Sequence, residues 1–479
     1  MTPPKMIALP LSYIPRFFTQ KSIVAFLGVF ILCSILFFSR MLPALWILFG
    51  FLEVICFFYF LNSLTKQWNK IADKRFEKKL FWTSFWIRIA WVLFSFFFYT
   101  AMSGVPFEFE AGDSKGYHGE AMWLLGLVQD GKLEQYRIYI GKNYSDMGYP
   151  VYLALIYSVF GDNILIPRLI KVVLGTYICL FTYKIARNNF GESTGRIAGI
   201  MTMLVPNLIY YCGLHLKETE MVFLVVCFIY LADKILRSRK LTLTAIIWLG
   251  LIGAVLFFFR TVLAVCLISS IMLAALFTSQ RVSALGKRIG LIVMLIGGIF
   301  FLTTTPLVDN VNLYLRLRNK NQANQMKNYA IHRDKGQTNK LAVYGSRSVF
   351  LPFMIMAPFP TLINIPDQPN AMMMAGAYFT RNVYAFFVFM ALLALYKRKK
   401  LREHVLLLAF TASYIFVLAS SGFALSERFH LPLIPFLLIF SAYGISQMNQ
   451  NNKKYYLPYL VFIVLVVIGW NWFKIAGRS

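Results

Sequence analysis

Acidic residues are scarce in this chain. Asp and Glu account for 20 of the 479 residues, against 48 Lys and Arg, so the formal net charge is +28. Eight of those 20 carboxylates nevertheless fall between Glu108 and Asp162. This concentration indicates that polar chemistry takes place in that segment.

Cysteine is also infrequent, and its spacing excludes several kinds of site. The six cysteines lie within or at the edges of apolar segments and form no CxxC pair, which argues against a zinc site or a disulfide framework. No His, Asp and Glu spacing matches a dedicated zinc site. The chain also lacks a Walker loop, a dinucleotide-binding glycine pattern and a nucleophile elbow. Nothing in the sequence therefore indicates nucleotide use.

Long apolar runs are abundant instead. Hydrophobic residues make up 58% of the chain and the mean hydropathy is +0.63, well above the globular norm. The runs are uninterrupted and close to the ~20 residues that an α-helix needs to cross a bilayer. We therefore predict an all-α, polytopic helical membrane protein with about 13 transmembrane helices. The predicted spans are roughly 22–38, 42–61, 81–102, 165–186, 196–213, 219–236, 241–259, 261–279, 289–306, 376–396, 403–421, 430–447 and 455–473.

Basic residues cluster in the short loops between these spans. Examples are Lys66 to Lys79, Arg237 to Lys240, Arg281 to Arg288 and Lys397 to Arg402. This is the pattern of the positive-inside rule, so it predicts a cytoplasmic N-terminus and argues against nucleic-acid binding. Tyr149 to Phe160 is apolar but only 12 residues long, and counting it as a span would place several basic loops outside. We interpret it as a juxtamembrane or partly inserted helix.

This topology divides the chain into four regions. Residues 1–80 form a two-span extension with a basic cytoplasmic loop, and 81–306 form a membrane module whose first external loop, 103–164, carries the acidic cluster and short juxtamembrane helices. Residues 307–375 form an external basic loop, and 376–479 form a C-terminal transmembrane module. The basic loop is either a solvated segment or a cradle for an anionic substrate, because guanidinium groups bind phosphate oxygens in pairs.

The first candidate site lies in the acidic external loop. Asp113 follows Glu108 and Glu110, and neighbouring carboxylates can hold one pKa high enough for a general base. Tyr117 and His118 come next and are candidate substrate-binding residues. The alternative is an exposed acidic loop without a catalytic role.

A second candidate is the turn that enters the span 219–236. Here Lys217 precedes Glu218 and Glu220 at a predicted membrane boundary, where ionised groups are costly and usually functional. The two glutamates also suit the positive end of the helix dipole, so helix capping is the alternative. The topology places this turn on the same face as Asp113.

The remaining candidates are charged residues next to apolar segments. Arg260 interrupts a run of apolar residues in a predicted external hairpin, and Arg381 lies just inside the tenth span. Each needs a partner such as a carboxylate, a lipid headgroup or a substrate phosphate, although snorkelling to the interface would also explain it. Glu427, Arg428 and His430 form a further external cluster that could grip a phosphate and position a carboxylate.

These motifs, taken in order, resemble those of a known superfamily. The series comprises Gly112-Asp113-Ser114, Gly148-Tyr149-Pro150, Phe160-Gly161, Pro167-Arg168, Ala186 to Gly191, Val205-Pro206, Lys217-Glu218 and Glu427 to Pro432. It resembles the GT-C glycosyltransferases, especially the protein O-mannosyltransferase and aminoarabinose transferase-like group. The resemblance covers roughly 100–235 and 425–445.

The resemblance implies a glycosyltransferase that takes a sugar from a polyprenyl-phosphate donor on the extracytoplasmic face. Asp113 would be the acceptor base or a ligand for a divalent ion, Mg or Mn, and the second acidic position would fall on Glu218, with Glu220 beside it. Arg260, Arg381 or Arg428 would hold the donor phosphate. The first loop has Asp-Ser where the group often has a paired Asp-Glu, so metal use and acceptor type stay open: the acceptor could be a glycan, a lipid or a protein.

Two other functions compete with this interpretation. A surface-polysaccharide polymerase or ligase that uses polyprenyl-diphosphate glycans would depend on arginines of the basic loop, namely Arg316, Arg318 and Arg347. A lipid or solute transporter, or a flippase, would show paired halves and broken helices, but no internal repeat is evident. The family likeness also suggests a bacterial inner membrane, although the basic loops suit the endoplasmic reticulum equally.

Overall fold

The computed structural model of this chain describes residues 11–141, 144–237, 243–277, 353–420 and 426–476. Over these residues it is helical, and the β-structure there is a single bridge between Met41 and Ile363. The all-α prediction is confirmed. Most of the basic loop, including Arg316, Arg318 and Arg347, lies outside the described residues, as does the predicted span 289–306. The division into four regions stays a prediction.

Nineteen α-helices are found in the described ranges. They are α1 (Arg16–Leu36), α2 (Ala44–Trp68), α3 (Asp73–Ser103), α4 (Gly112–Gln129), α5 (Leu133–Ile140), α6 (Gly148–Phe160), α7 (Leu165–Phe190), α8 (Glu192–Leu204), α9 (Pro206–Cys212), α10 (Glu218–Arg237), α11 (Leu243–Phe277), α12 (Phe353–Met356), α13 (Pro369–Met373), α14 (Ala375–Lys397), α15 (Val405–Ser420), α16 (Glu427–His430), α17 (Ile434–Ser446), α18 (Gln450–Lys453) and α19 (Tyr456–Ala476). Short 3-10 turns occur at Phe38–Arg40, Leu401–His404 and Leu431–Leu433.

Nine helical segments in the described part of the chain are long and apolar enough to cross a membrane. Thirteen spans are therefore not confirmed. The predicted spans 241–259 and 261–279 are joined directly as α11, without a connecting loop, and the predicted span 196–213 is the two shorter helices α8 and α9. Helix α10 is long enough, but Glu218, Glu220, Asp233, Lys234 and Arg237 place charges near both of its ends. The 13-residue α6 matches the short helix expected there.

The break between α8 and α9 explains a buried arginine in the span α3. Pro206 has no N–H group, so it cannot bond the carbonyl of Thr202 four residues earlier. The guanidinium of Arg88 donates to that carbonyl at 3.3 Å and to the Ser84 hydroxyl at 2.6 Å. Arg88 is fully buried. It therefore has a structural role, since it replaces the missing backbone donor.

The centre of the bundle is α17, where every residue is buried. It packs closely along α14: a Cβ atom at Gly444 would overlap the carbonyl of Phe387. Only a glycine allows the two helices this approach. This contact holds the C-terminal part of α17 against α14.

Charged side chains gather at both ends of α7. Lys171 lies near its start, whereas Arg187 lies about 24 Å further along the helix axis. At that far end Arg187 pairs with Glu77 at 3.4 Å, and Arg196 pairs with Asp73 and Glu192, both at 2.6 Å. These pairs tie α3, α7 and α8 together. The acidic candidates of the first loop lie at the opposite end.

Candidate active site

The guanidinium of Arg428 joins two of the predicted acidic residues. It donates to Asp113 at the start of α4 and to Glu218 at the start of α10, and it lies 3.4 Å from the Tyr117 hydroxyl. Glu218 is fully buried, whereas the Asp113 side chain is 66% exposed. The structure thus brings Asp113, Tyr117, Glu218 and Arg428 to one place, although Asp113 and Arg428 are 315 positions apart.

Arg381, Glu427 and His430 form a separate buried cluster behind Arg428. The Arg381 guanidinium lies 3.5 Å from the Glu427 carboxylate and 2.8 Å from His430 Nδ1, and it donates to the Met354 carbonyl at 3.0 Å. The Asn207 amide also donates to Glu427. These residues were expected to bind substrate, but the structure directs them into the protein. Their partners hold α16 so that Arg428 points the other way, towards Asp113.

Lys171 organises the turn before α10. It is fully buried, it donates to the carbonyls of Leu214 (2.8 Å) and Leu216, and its ammonium lies 3.6 Å from Glu220. Within the described part of the chain, neither carboxylate oxygen of Glu220 accepts a hydrogen bond. The sequence analysis missed Lys171. The signal was a lysine inside the apolar segment 165–186, where a charge is costly unless it is paired.

Lys217, in the same turn, contacts two different elements. Its ammonium donates to the Asp146 carboxylate and to the Phe259 carbonyl, the latter at 3.1 Å, and the side chain is 1% exposed. Burial, followed by the nearby Arg260, lowers the pKa of Lys217 to about 7. The contact with Asp146 favours the charged form. Asp146 is a second residue that the sequence analysis did not single out.

Arg260 lies where α11 is interrupted. Its backbone is extended (φ −165°, ψ 100°), and its guanidinium lies over the Phe429 ring at 4.2 Å. Such a cation–π contact is worth roughly 0.5–2 kcal/mol. Lys217 contacts the carbonyl of Phe259, the residue before Arg260, and lies over the ring of Tyr117 at 5.6 Å, whose hydroxyl is 3.4 Å from Arg428, so the three cations share one region of the site.

His118 belongs to a hydrogen-bonded chain inside the protein. Its Nδ1 atom lies 2.9 Å from the Tyr157 hydroxyl, and that hydroxyl lies 3.1 Å from Nε2 of the buried His215. Burial lowers the pKa of His118. The prediction that His118 binds substrate is not tested. Its observed partners connect α4 to α6 and to the turn before α10.

Two cavities flank these residues. The first, of about 610 Å³, lies along α4 and is called the polar cavity because its lining includes charged as well as aromatic residues. The second, of about 450 Å³, is apolar and lies between α6, α7, α10 and α11. The polar cavity is lined by Gly112, Asp113, Lys115, Gly116, Tyr117, Gly119, Glu120, Trp123, Tyr139 and Asp146. The apolar cavity is lined by Met147, Gly148, Val151, Tyr152, Leu155, Leu174, Glu220, Phe223, Leu224, Val255, Phe258 and Phe259.

Lys217 marks the boundary between the two cavities. Asp146, which it contacts, lines the polar cavity, whereas Phe259, whose carbonyl it also contacts, lines the apolar one. The next residues, Met147 and Gly148, already belong to the apolar wall. A Cβ atom at Gly148 would lie 2.7 Å from the Phe259 ring, so the close packing of α6 on α11 requires glycine here.

The side chains around Asp113 do not form an evident ligand set for a divalent ion. Among the residues that the structure describes, no three His, Cys, Asp or Glu side chains are grouped closely enough to hold one. The guanidinium of Arg428 already supplies a positive charge between Asp113 and Glu218. Metal binding at Asp113 stays a prediction that these contacts do not support.

Comparison with known families gives one match. Residues 147–306 match the family model for dolichyl-phosphate-mannose-protein mannosyltransferases. The match supports a membrane glycosyltransferase of the GT-C type. It takes in α6 to α11, and therefore the apolar cavity, Lys217, Glu218 and Arg260. No curated protein and no solved structure matches the chain.

The match and the nine apolar helices together identify an integral membrane protein with glycosyltransferase activity. The matched segment ends well before Arg428 and begins well after Asp113. The chain therefore completes its candidate site with residues from outside the matched segment.

Proposed function

We propose that this glycosyltransferase transfers a sugar from a polyprenyl-phosphate donor to an acceptor hydroxyl by an inverting displacement. The observation that carries the proposal is the position of Lys217, whose ammonium contacts residues of both the polar and the apolar cavity. A lipid-linked sugar has the same division: an apolar chain, a phosphate and a polar ring. Each part of the donor then has a matching part of the site.

The apolar cavity suits the isoprenoid chain. Eleven of its twelve lining residues carry no charge, and Glu220 is the exception. Its volume of about 450 Å³ lies within the roughly 300–1,000 Å³ that small-molecule sites occupy. Burial of apolar chain surface stabilises the complex by about 25 cal/mol per Å². This cavity would therefore supply affinity for the lipid without contacting the sugar.

The donor phosphate would lie at the boundary, beside Lys217 and Arg260. Negative charge builds on the phosphate as the glycosidic bond breaks, and cations fixed in a partly buried site stabilise that charge better than water does. Arg428 is close enough to contribute, since it also affects the Lys217 pKa. Its bonds to Asp113 and Glu218 keep it on the sugar side of the boundary.

Asp113 is the proposed general base. Its side chain lines the polar cavity and is 66% exposed, so an acceptor hydroxyl can reach it, whereas Glu218 is buried. The Asp113 carboxylate takes the hydroxyl proton while the acceptor oxygen bonds to C1 of the sugar. The bond from C1 to the phosphate oxygen breaks, and its electron pair leaves with the polyprenyl phosphate.

We place this reaction on the extracytoplasmic face, in a bacterial inner membrane. The support for the face is the distribution of basic loops, which under the positive-inside rule assigns the other end of α7 to the cytoplasm. The support for the bacterial inner membrane is the family likeness alone. Glu218 would hold Arg428 in position beside the sugar. Glu220, which lines the apolar cavity and lies near Lys171, would act on the turn that carries Lys217.

The test is transfer by the purified full-length chain in nanodiscs, with a panel of radiolabelled polyprenyl-phosphate sugars and membrane extract as the acceptor source. We expect Asp113→Asn to lose at least about 100-fold in transfer, in line with loss of a general base, and to keep normal thermal unfolding. Asp130→Asn is the matched control, since Asp130 is an exposed carboxylate at the end of the same helix. Full transfer activity of Asp113→Asn would refute its role as the general base. Failure of every sugar of the panel to be transferred would refute the donor class.

A further inference from the structure

Aromatic side chains line the polar cavity on one side. Trp123 and Tyr139 meet edge to face with ring centroids 5.1 Å apart, and both are partly exposed, at 40% and 63%. Tyr117 contributes a third ring near Asp113. Aromatic faces at a polar site offer apolar surface to ligands whose C–H groups lie on one face, as they do in sugar rings.

Three glycines of α4 lie on the same side of that helix as Trp123 and expose backbone to the cavity. Gly112, Gly116 and Gly119 are spaced four and three residues apart, so they lie on one side of α4. A Cβ atom built on any of the three would meet no other atom within 4 Å. The glycines are therefore not required by packing within the protein. They leave room next to the helix, on the side where the aromatic rings and Asp113 also face the cavity.

Carboxylates dominate the polar groups of this cavity. Among the lining residues that the structure describes, three are carboxylates, Asp113, Glu120 and Asp146, and one is a cation, Lys115. Asp113 and Asp146 are bound to cations of the boundary region, whereas Glu120 accepts a hydrogen bond from the Tyr136 hydroxyl at 3.1 Å. Carboxylate oxygens accept hydrogen bonds from hydroxyl or amino groups and repel anions.

From these three features of the cavity, its aromatic rings, its exposed glycines and its carboxylates, we infer that the acceptor is itself a saccharide without negative charge, bound in the polar cavity with a ring against Trp123 and Tyr139. This inference rests on the proposed function, in which Asp113 activates the acceptor hydroxyl. The chain of a lipid acceptor would lie against the charged residues Asp113, Lys115, Glu120 and Asp146 in this cavity, whereas the other cavity has Glu220 as its one charged lining residue. An anionic glycan or phosphorylated acceptor would face the Glu120 carboxylate.

The inference is tested by ligand binding, which does not depend on turnover. Saturation-transfer NMR on the full-length chain in nanodiscs would use a neutral hexose trisaccharide, the same trisaccharide ending in a uronic acid, and a Ser/Thr-containing peptide. The variants are Trp123→Ala and Gly119→Leu, and the control is Met122→Ala, a partly exposed residue of α4 that does not line the cavity. Since the space around Gly119 is open, the leucine fills the cavity without displacing the protein.

We expect the neutral trisaccharide to bind, the acidic one to bind at least about fivefold more weakly, and both cavity variants to weaken neutral binding by about tenfold, or about 1.4 kcal/mol. Met122→Ala should bind normally. Absence of neutral binding, equal binding of the acidic probe, or peptide binding that Gly119→Leu abolishes would each overturn the inference. Binding of polyprenyl phosphate to the same samples is scored separately, so that its loss would refute the donor class while leaving the saccharide result intact.

Discussion

Replacing Arg428 by methionine tests the central contact of the site. The change removes the cation that Asp113 and Glu218 share while keeping most of the side-chain volume. The two carboxylates differ in exposure, at 66% for Asp113 and 0% for Glu218. Breaking a buried pair by removing one partner destabilises a protein by about 3–5 kcal/mol, whereas an exposed pair contributes about 0–1 kcal/mol. Nearly all of the loss should therefore come from Glu218.

The measurement is a double-mutant cycle by detergent-induced unfolding of the purified protein. We expect Arg428→Met to lower the free energy of unfolding by about 3 kcal/mol, and Arg428→Met with Glu218→Gln to recover about 2 kcal/mol of it, because no buried charge is then left unpaired. Adding Asp113→Asn to Arg428→Met should recover almost none of the lost free energy of unfolding. Arg137→Met is the control, since Arg137 pairs with Glu134 at the surface. Two outcomes would show that burial does not determine the strength of these ion pairs. One is equal recovery of the free energy of unfolding by Glu218→Gln and Asp113→Asn, and the other is no recovery by Glu218→Gln.

Three further outcomes are expected. Because the pKa of Lys217 is about 7, its positive charge declines as pH rises through neutrality. Binding of polyprenyl phosphate, measured by titration from pH 6 to 9, should therefore weaken over that range. Lys217→Arg should make binding nearly independent of pH. Gly148→Ala places a methyl group against α11 and should lower transfer at least about tenfold. Gly250→Ala, where the space is open, should not change transfer. Equal activity of the two variants would contradict the close approach of α6 to α11. Arg381→Met leaves the buried Glu427 without its cation, so thermal stability and transfer should fall together, and adding Glu427→Gln should restore stability. Loss of transfer by Arg381→Met at unchanged thermal stability would show that Arg381 acts on substrate alone.

The location of the site was predictable in part. Asp113, Glu218 and Arg428 stood out in the sequence because ionised groups beside apolar segments are expensive unless they have a function or a partner. Their convergence agrees with the predicted topology, which placed them on one face. Lys171 and Asp146 were missed because each looked like an ordinary charge within or beside an apolar run, and only the folded chain shows which carbonyls and carboxylates they reach.

Orientation could not be predicted at all. Arg381, Glu427 and His430 are ionisable residues predicted on the same membrane face as Arg428, yet they point into the protein. Helical periodicity within a four-residue turn such as α16 is too short to indicate which side chain faces a cavity. The count of 13 spans is not confirmed in the described residues, because hydropathy does not show whether two apolar runs are joined through one extended residue, as they are at Arg260.

The sequence by itself determined that this chain is a bundle of apolar helices with an acidic first loop, because the length and composition of each run are local properties that a bilayer selects directly. The tertiary structure alone decided which charges meet. Asp113 and Arg428 lie at distant points of the chain, and their contact exists because α4, α10 and α16 begin at one level of the bundle. The division of the site into a polar and an apolar cavity, with Lys217 between them, likewise depends on how α6 packs against α11.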